Sequence, residues 1–316
     1  MATLNVGSDQ TYKTLADALA AANDGDVIVL NGDITESSVK IEKSVTIDLN
    51  NNTLTGKVYI WESAAVEIKN GKMTVAGTSP GFNDAVITTG LYTDAEGNVK
   101  SSGGASSLVI NNVDLNGGEA VNSRYYTNGI CYKSTGGLKI VDSTITAGTA
   151  TRNADCENIG SNSSTATAVY APVGSAGDIV IENSTITGGY GKTDAEYTGY
   201  VSQLFSPGGS AVSLHGSSDV TITGSTVKGG SSNWYNAAEA INVSNQFSGT
   251  LSVVESNVAG GDAEGEVAGY GIGGVGINTS MSTSCEKIEI EGSTISGGNG
   301  GDSWNGNGIE YRNEKN

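Results

Sequence analysis

Residues 138–148 read Leu138-Lys139-Ile140-Val141-Asp142-Ser143-Thr144-Ile145-Thr146-Ala147-Gly148, and close copies of this stretch recur along the chain. Related blocks begin at Leu108, Ile179, Val220, Leu251 and Ile288. Within each block apolar and polar residues alternate, the period of a strand with one buried face. A turn follows the second apolar residue. The position before the serine holds Asp142, Asn183, Gly224, Glu255 and Gly292 in successive blocks. Most of these residue types tolerate the left-handed backbone that a sharp turn requires. Behind them stands a column of serines, Ser143, Ser184, Ser225, Ser256 and Ser293, then another short strand and usually Gly-Gly.

A further short strand precedes each block, as in Gly129-Ile130-Cys131-Tyr132-Lys133 and Ser210-Ala211-Val212-Ser213-Leu214. In coil order these are the first strands, and the block supplies the second and third. Three short strands per repeat, separated by turns, make the coil of a parallel β-helix. From Val39 onward about nine coils fit, a rod roughly 40 Å long at the usual strand spacing. Leu15, Ala18, Leu19 and Ala22 follow the helical period instead, so residues 14–23 are expected to form an amphipathic helix. Thr14 with Asp17 resembles a capping box, and Asn23-Asp24-Gly25 ends the helix before Val27. The reading is all-β: a single-stranded right-handed parallel β-helix with an N-terminal capping α-helix. One domain spans residues 1–316, with coils from about residue 27.

Composition narrows the partners. Acidic residues number 34 against 16 basic, a net charge of −18. Such a surface repels phosphate backbones and anionic membranes, so nucleic acid is excluded as a partner, while cations or neutral sugars suit it better. Cys131, Cys156 and Cys285 show no paired spacing and there is one histidine, which argues against zinc. Three reduced, packing cysteines are preferred over one disulfide plus a thiol. No run approaches the roughly 20 apolar residues of a membrane span, so no membrane insertion is expected. Met1-Ala2-Thr3-Leu4-Asn5 has neither the basic region nor the apolar core of a secretory leader. Export is then expected through a leader outside this sequence or by another route, such as inside a virion.

The stretch from Thr11 to Ile34, followed by Lys43 to Gly56 (KSVTIDLNNNTLTG), resembles the opening of pectin-lyase-like β-helix proteins. That superfamily places a short helix, a Gly-Asp turn and a first strand ahead of its coils. The resemblance covers nearly the whole chain and is architectural. It implies a relative of polysaccharide lyases, glycoside hydrolases, phage tailspikes, adhesins or non-catalytic bacterial surface proteins, and fold alone does not choose among them.

Residues beyond the minimal coil fall mostly after Gly-Gly, at 116–127, 147–166, 188–208, 229–237, 260–269 and 297–306, so the insertions stack on one side. A further insertion, 89–106, follows a first strand. Long loops on a rigid scaffold are where recognition usually resides. Tyr125, Tyr126, Tyr190, Tyr197, Tyr200, Trp234, Tyr235 and Trp304 concentrate there and are the expected ligand-binding residues. Flat aromatic faces stack on sugar rings, while acids such as Glu119, Asp262 and Glu264 bond the hydroxyls or bind calcium. The competing reading is that these aromatics pin the loops to the rod. Gly297 to Asn305 matches a single calcium-binding nonapeptide, with Asp302 as a weak metal candidate, but one copy cannot build the stacked site. No cofactor is expected beyond that calcium alternative.

Alternation points Cys131, Lys133, Tyr170, Ser213, His215, Asn242, Ser244 and Asn278 outward from the first strands. No carboxylate cluster appears among them, whereas ordinary glycoside hydrolysis needs two acids. One catalytic alternative survives, with Lys133, Tyr170 and His215 on adjacent coils and Arg124 and Arg152 on loops above. A lyase would use such groups to remove a proton beside a uronate neutralised by arginine. The preferred reading is non-enzymatic: an extracellular β-helix on a cell or virion surface, presenting stacked loops to a glycan or protein receptor. The alternative is a polysaccharide lyase acting on an acidic polysaccharide. At the C-terminal end Ile309 and Tyr311 are expected to point inward with no helix to cover them. A longer parent chain or an assembly partner is expected at that end.

Overall fold

The computed structural model describes residues 1–75, 85–93, 98–122, 127–153, 166–193, 208–233, 236–264, 271–279, 284–300 and 305–311. Among the described residues most strands join in a 24-stranded sheet wound as a parallel β-helix, beside a three-stranded sheet and a two-stranded one. First strands stack in register, so that Val39, Val58, Ile87, Ile130, Val169, Val212, Ile241 and Ile277 form one line. A second-strand line runs through Leu4, Ile28, Ile47, Ile68, Ile110, Ile140, Ile181, Ile222 and Val253. The third strands contribute Leu54, Met73, Leu115, Ile145, Ile186, Val227 and Val258. All three lines are buried and meet in one apolar core. A one-residue slip would turn every one of these side chains to solvent, which is what holds the register.

The turn between second and third strands follows the sequence expectation. Asp142, Asn183, Gly224, Glu255 and Gly292 all have φ between 47° and 58°. Asn70 and Asn112 extend the same left-handed column toward the N-terminus. The serines behind it form a ladder. Ser184 Oγ accepts from the Ser143 N–H at 3.1 Å and donates to the Glu182 carbonyl at 2.7 Å. Ser225 Oγ accepts from Ser184 N–H, Ser256 Oγ from Ser225 N–H, and Ser293 Oγ from Ser256 N–H. Each hydroxyl therefore satisfies a backbone donor on the preceding coil that the tight turn leaves outside the strand ladder, and adds a second bond to a carbonyl of its own coil that already accepts from a backbone N–H.

The helix spans Leu15–Ala21. Thr14 Oγ1 accepts from the Asp17 N–H at 3.0 Å, and Leu15, Ala18 and Leu19 are buried against the first coils. The Glu36 carboxylate accepts from the Leu15 and Ala16 N–H groups, and Lys43 Nζ donates to the Leu19, Ala20 and Ala22 carbonyls. Opposite charges thus meet the unpaired groups at the two helix ends. A strand the sequence reading omitted, Thr3–Val6, lies ahead of the helix and pairs with Val27–Leu30. At the other end Ile290 and Ile309 are 39% and 51% exposed, although their register partners Val253 and Ile277 are fully buried.

The Gly-Gly segments form a second backbone device. Gly230 N–H donates to the Gly209 carbonyl, and Ala238 N–H donates to the Gly230 carbonyl. Gly261 bonds back to Ala238, Gly274 to Gly261, Gly298 to Gly274 and Gly306 to Gly298. The entry of each loop is thereby tied to its own exit and to the exit of the loop before. At the entry positions a methyl group has no room: a Cβ on Gly230 would lie 2.0 Å from the Gly189 carbonyl oxygen, and one on Gly261 2.1 Å from that of Gly230. Glycine is required here by close backbone approach, not by a positive φ.

Candidate functional site

Two surfaces answer to the sequence expectations. The first is the outer face of the first strands. Ile130, Tyr132, Val212, Leu214, Ile241 and Val243 are fully buried, as alternation requires. Register places Cys131, Tyr170, Ser213, Asn242 and Asn278 on one outward line. Cys131 corrects the expectation of an exposed position: it is fully buried, in a small cluster with Ala85 and Leu91 that Tyr170 covers. The insertion after the first strand, which supplies Leu91, folds back over this part of the face.

The Tyr170 and His215 rings meet edge to face, centroids 5.5 Å apart. Ser213 Oγ lies 3.0 Å from His215 Nε2 and accepts from Asn242 Nδ2 at 3.4 Å. Two coils are further stitched by Glu239, whose carboxylate accepts from Ser210 Oγ at 3.1 Å and Asn278 Nδ2 at 3.0 Å. Lys133 lies one register step beyond Tyr132 and makes no hydrogen bond or ring contact with Tyr170 or His215. Of the lysine, tyrosine and histidine expected to act together, the fold brings together two. Arg124 lies outside the described residues, as does the side chain of Arg152.

Burial pushes the Tyr170 hydroxyl up to about 12, with a smaller contribution from Cys131. Burial also holds His215 below its ordinary value near 6.5. The imidazole is therefore neutral at pH 7. Because the imidazolium is disfavoured in the folded chain, His215 contributes stability that is present above pH 6.5 and lost as pH falls through its folded value. His215 is the only histidine in the chain, so its ring protons can be followed by NMR without assignment. The expected midpoint lies below that of the urea-unfolded chain, and His215→Gln should flatten the acid side of the stability profile. A folded midpoint equal to or above the unfolded one would contradict the burial argument.

The second surface is the root of the loops. Glu119–Val121, Thr149–Arg152 and Gly191–Thr193 pair as a short parallel sheet, and bridges through Ser232 and Ala263 continue the line. The sequence reading treated these segments as loop. Tyr190 Oη donates to Glu264 Oε2 at 2.8 Å, and burial, then that carboxylate, pushes the phenol up to about 12. Burial opposes ionisation of Asp262, yet the Lys228 ammonium 2.8 Å away and the Asn299 N–H hold its carboxyl below the usual range. The other expected ligand residues, Tyr125, Tyr126, Tyr197, Tyr200, Trp234, Tyr235 and Trp304, lie outside the described residues, as does Asp302. Among the described residues no group of three or more His, Cys, Asp or Glu side chains is placed to hold a metal ion.

One aromatic group escaped the sequence reading. Tyr59, Trp61 and Tyr92 gather near the N-terminal end of the rod. The signal was present in Val58-Tyr59-Ile60-Trp61, where aromatics flank a core position. No protein-family model matches the chain, and no curated protein matches it either.

Proposed function

We propose that this chain is a non-enzymatic, extracellular β-helix of the pectin-lyase-like kind, displayed on a cell or virion surface, whose loop side binds a glycan. The observation that carries this reading is the hydrogen-bonded neck line from Gly189 to Gly306, which sets the ends of successive insertions along one side of the rod. Anchors held in register at the ends of aromatic-rich insertions suit an extended, repeating ligand, because each coil would offer a subsite one strand spacing from the next. At the roots, Tyr190, Lys228, Asp262 and Glu264 supply the mixture of phenol, ammonium and carboxylate that sugar hydroxyls bond.

A glycan array followed by titration of the best hit tests the reading. Trp234→Ala and Tyr235→Ala should each weaken binding about ten-fold, the scale of an aromatic anchor, with an unchanged circular dichroism spectrum. Undiminished binding by the double variant would overturn the loop-side assignment.

A second reading is favoured by one observation, the packing of a neutral His215 against Tyr170 beside Ser213. It makes the chain a lyase on an acidic polysaccharide, with His215 removing the proton. Unsaturated uronate released from a polysaccharide panel, and lost in His215→Ala, would replace the non-enzymatic reading.

A further inference from the structure

Ile60 is fully buried in the core at the end of the strand Thr53–Ile60. Its neighbours Tyr59 and Trp61 therefore lie on the outside of the coil. The insertion 89–106 brings a third ring to them. Its strand Leu91–Thr93 pairs antiparallel with Val99–Ser101 and carries Tyr92. The Tyr92 ring stands edge to face with Tyr59, centroids 5.1 Å apart and planes at 89°, and meets Trp61 at 6.1 Å and 74°. From the preceding coil, Lys40 Nζ lies 4.8 Å from the Trp61 ring centre and 5.3 Å from that of Tyr92. The Glu42 carboxylate is 2.7 Å from the same ammonium. Tyr59 is buried, Trp61 and Tyr92 are half-buried, and Lys40 and Glu42 are exposed. A cleft of about 270 Å³ toward the N-terminal helix shares Lys40 and Glu42 with this group but none of its rings, and is otherwise lined by Ala16, Leu19, Val39 and Lys43 among others.

These rings are not needed to fill the core, which lies inside the coil. They form a partly open aromatic surface with one donor and one acceptor beside it. The local charge is balanced, because Lys40 and Glu42 cancel. This is the chemistry of a neutral sugar ring: its C–H face packs on an aromatic plane, while its hydroxyls take a hydrogen bond from an ammonium and give one to a carboxylate. An acidic sugar would meet the Glu42 carboxylate and the field of a chain with net charge −18. We propose that Trp61, Tyr92, Lys40 and Glu42 form a binding site for a neutral pyranose residue of a glycan. The site lies where first strands pass into second strands, whereas the Gly-Gly loops leave between third and first strands. It is thus separate from the loop-side surface and independent of that reading.

The chain has three tryptophans, so Trp234→Phe with Trp304→Phe leaves Trp61 as the only indole. Gluco-, manno- and galacto-configured neutral tetrasaccharides are titrated into this variant, with a uronate tetrasaccharide for comparison. Saturable change in Trp61 emission with at least one neutral sugar is expected, and none with the uronate. By calorimetry on the otherwise natural chain, Trp61→Ala and Tyr92→Ala should weaken that binding at least about ten-fold, and Glu42→Gln several-fold. Trp234→Ala and Tyr235→Ala should leave it unchanged, which separates failure of the loop-side reading from failure of this one. Glu42→Gln changes no packing and decides the matter if either aromatic replacement unfolds the chain. A Trp61 emission indifferent to every sugar, a preference for the uronate, or binding that survives Trp61→Ala and Glu42→Gln would overturn the proposal. Loss of hydrogen-exchange protection around Leu91–Ser101 in Trp61→Ala, without any sugar response in the unaltered chain, would show that the rings only anchor the hairpin.

Discussion

Gly230→Ala should cost about 3 kcal/mol of stability or more, at the upper end of what one added methyl group does in a packed interior. The new Cβ would sit 2.0 Å from the Gly189 carbonyl oxygen, 2.7 Å from the Gly209 nitrogen and 2.8 Å from the Gly189 carbonyl carbon. All three are backbone atoms, so no side chain can swing aside. Relief requires separating two loop necks, which breaks the bonds that Gly230 makes to Gly209 and Ala238. The comparison is Gly137→Ala. There the nearest atom is the Asp178 carbonyl oxygen at 3.9 Å, and φ is not in the left-handed region. Removing a glycine from such an open position should be neutral or stabilising by up to about 1 kcal/mol, through the unfolded chain. Urea denaturation of the two variants measures the difference, and equal stabilities would show that the necks are not tightly packed.

Ser184→Val should cost about 2 kcal/mol, the penalty for stranding a buried backbone donor, although valine suits a strand. The Ser184 side chain is 3% exposed, and its hydroxyl serves both the Ser143 N–H and the Glu182 carbonyl. Valine leaves the buried Ser143 N–H without a partner and closes the position to water, while the Glu182 carbonyl keeps the Asp142 N–H at 3.1 Å. Thr185→Val, one residue along and exposed, should change stability by less than about 0.5 kcal/mol. Hydrogen exchange locates the effect, because the Ser143 amide should lose protection in Ser184→Val and keep it in Thr185→Val. If the two replacements behave alike, the serine column is a packing preference and not a hydrogen-bonded ladder.

Much of this architecture was legible because the parallel β-helix repeats its instructions. Ile140, Ile181 and Ile222 announce one buried line, and Asp142, Asn183 and Gly224 announce one left-handed turn, so each coil corroborates its neighbours. Glu255 shows the strength of that context: it adopts φ 47° although glutamate has no special liking for it. Thr3–Val6 was missed because four alternating residues ahead of a helix carry no repeat to compare with. The short sheet at the loop roots was missed for a related reason. Ala150-Thr151-Arg152 and Gly191-Lys192-Thr193 share no apolar pattern, and they pair because the necks bring them into line. Burial of Cys131 could not be read from alternation, since the covering Leu91 belongs to another coil. Of the expected loop aromatics only Tyr190 lies among the described residues, where it bonds Glu264. The chemistry of the loops was legible as composition alone.

The neck line also bears on how such a chain changes over evolutionary time. Gly230 and Ala238 close a segment of seven residues, while Gly189 and Gly209 close one of nineteen with the same hydrogen bond. Beyond the root pairings through Gly191–Thr193 and Ser232, closure of the neck does not depend on how many residues lie between the anchors. Doubling the length of such a segment adds only about 0.6 kcal/mol of closure entropy, far less than one misplaced methyl at the anchor. Insertions, deletions and exchanges beyond the root pairings therefore cost the scaffold little, and each loop can change as a cassette. Selection can rewrite the chemistry of that side of the molecule one cassette at a time, without renegotiating the fold.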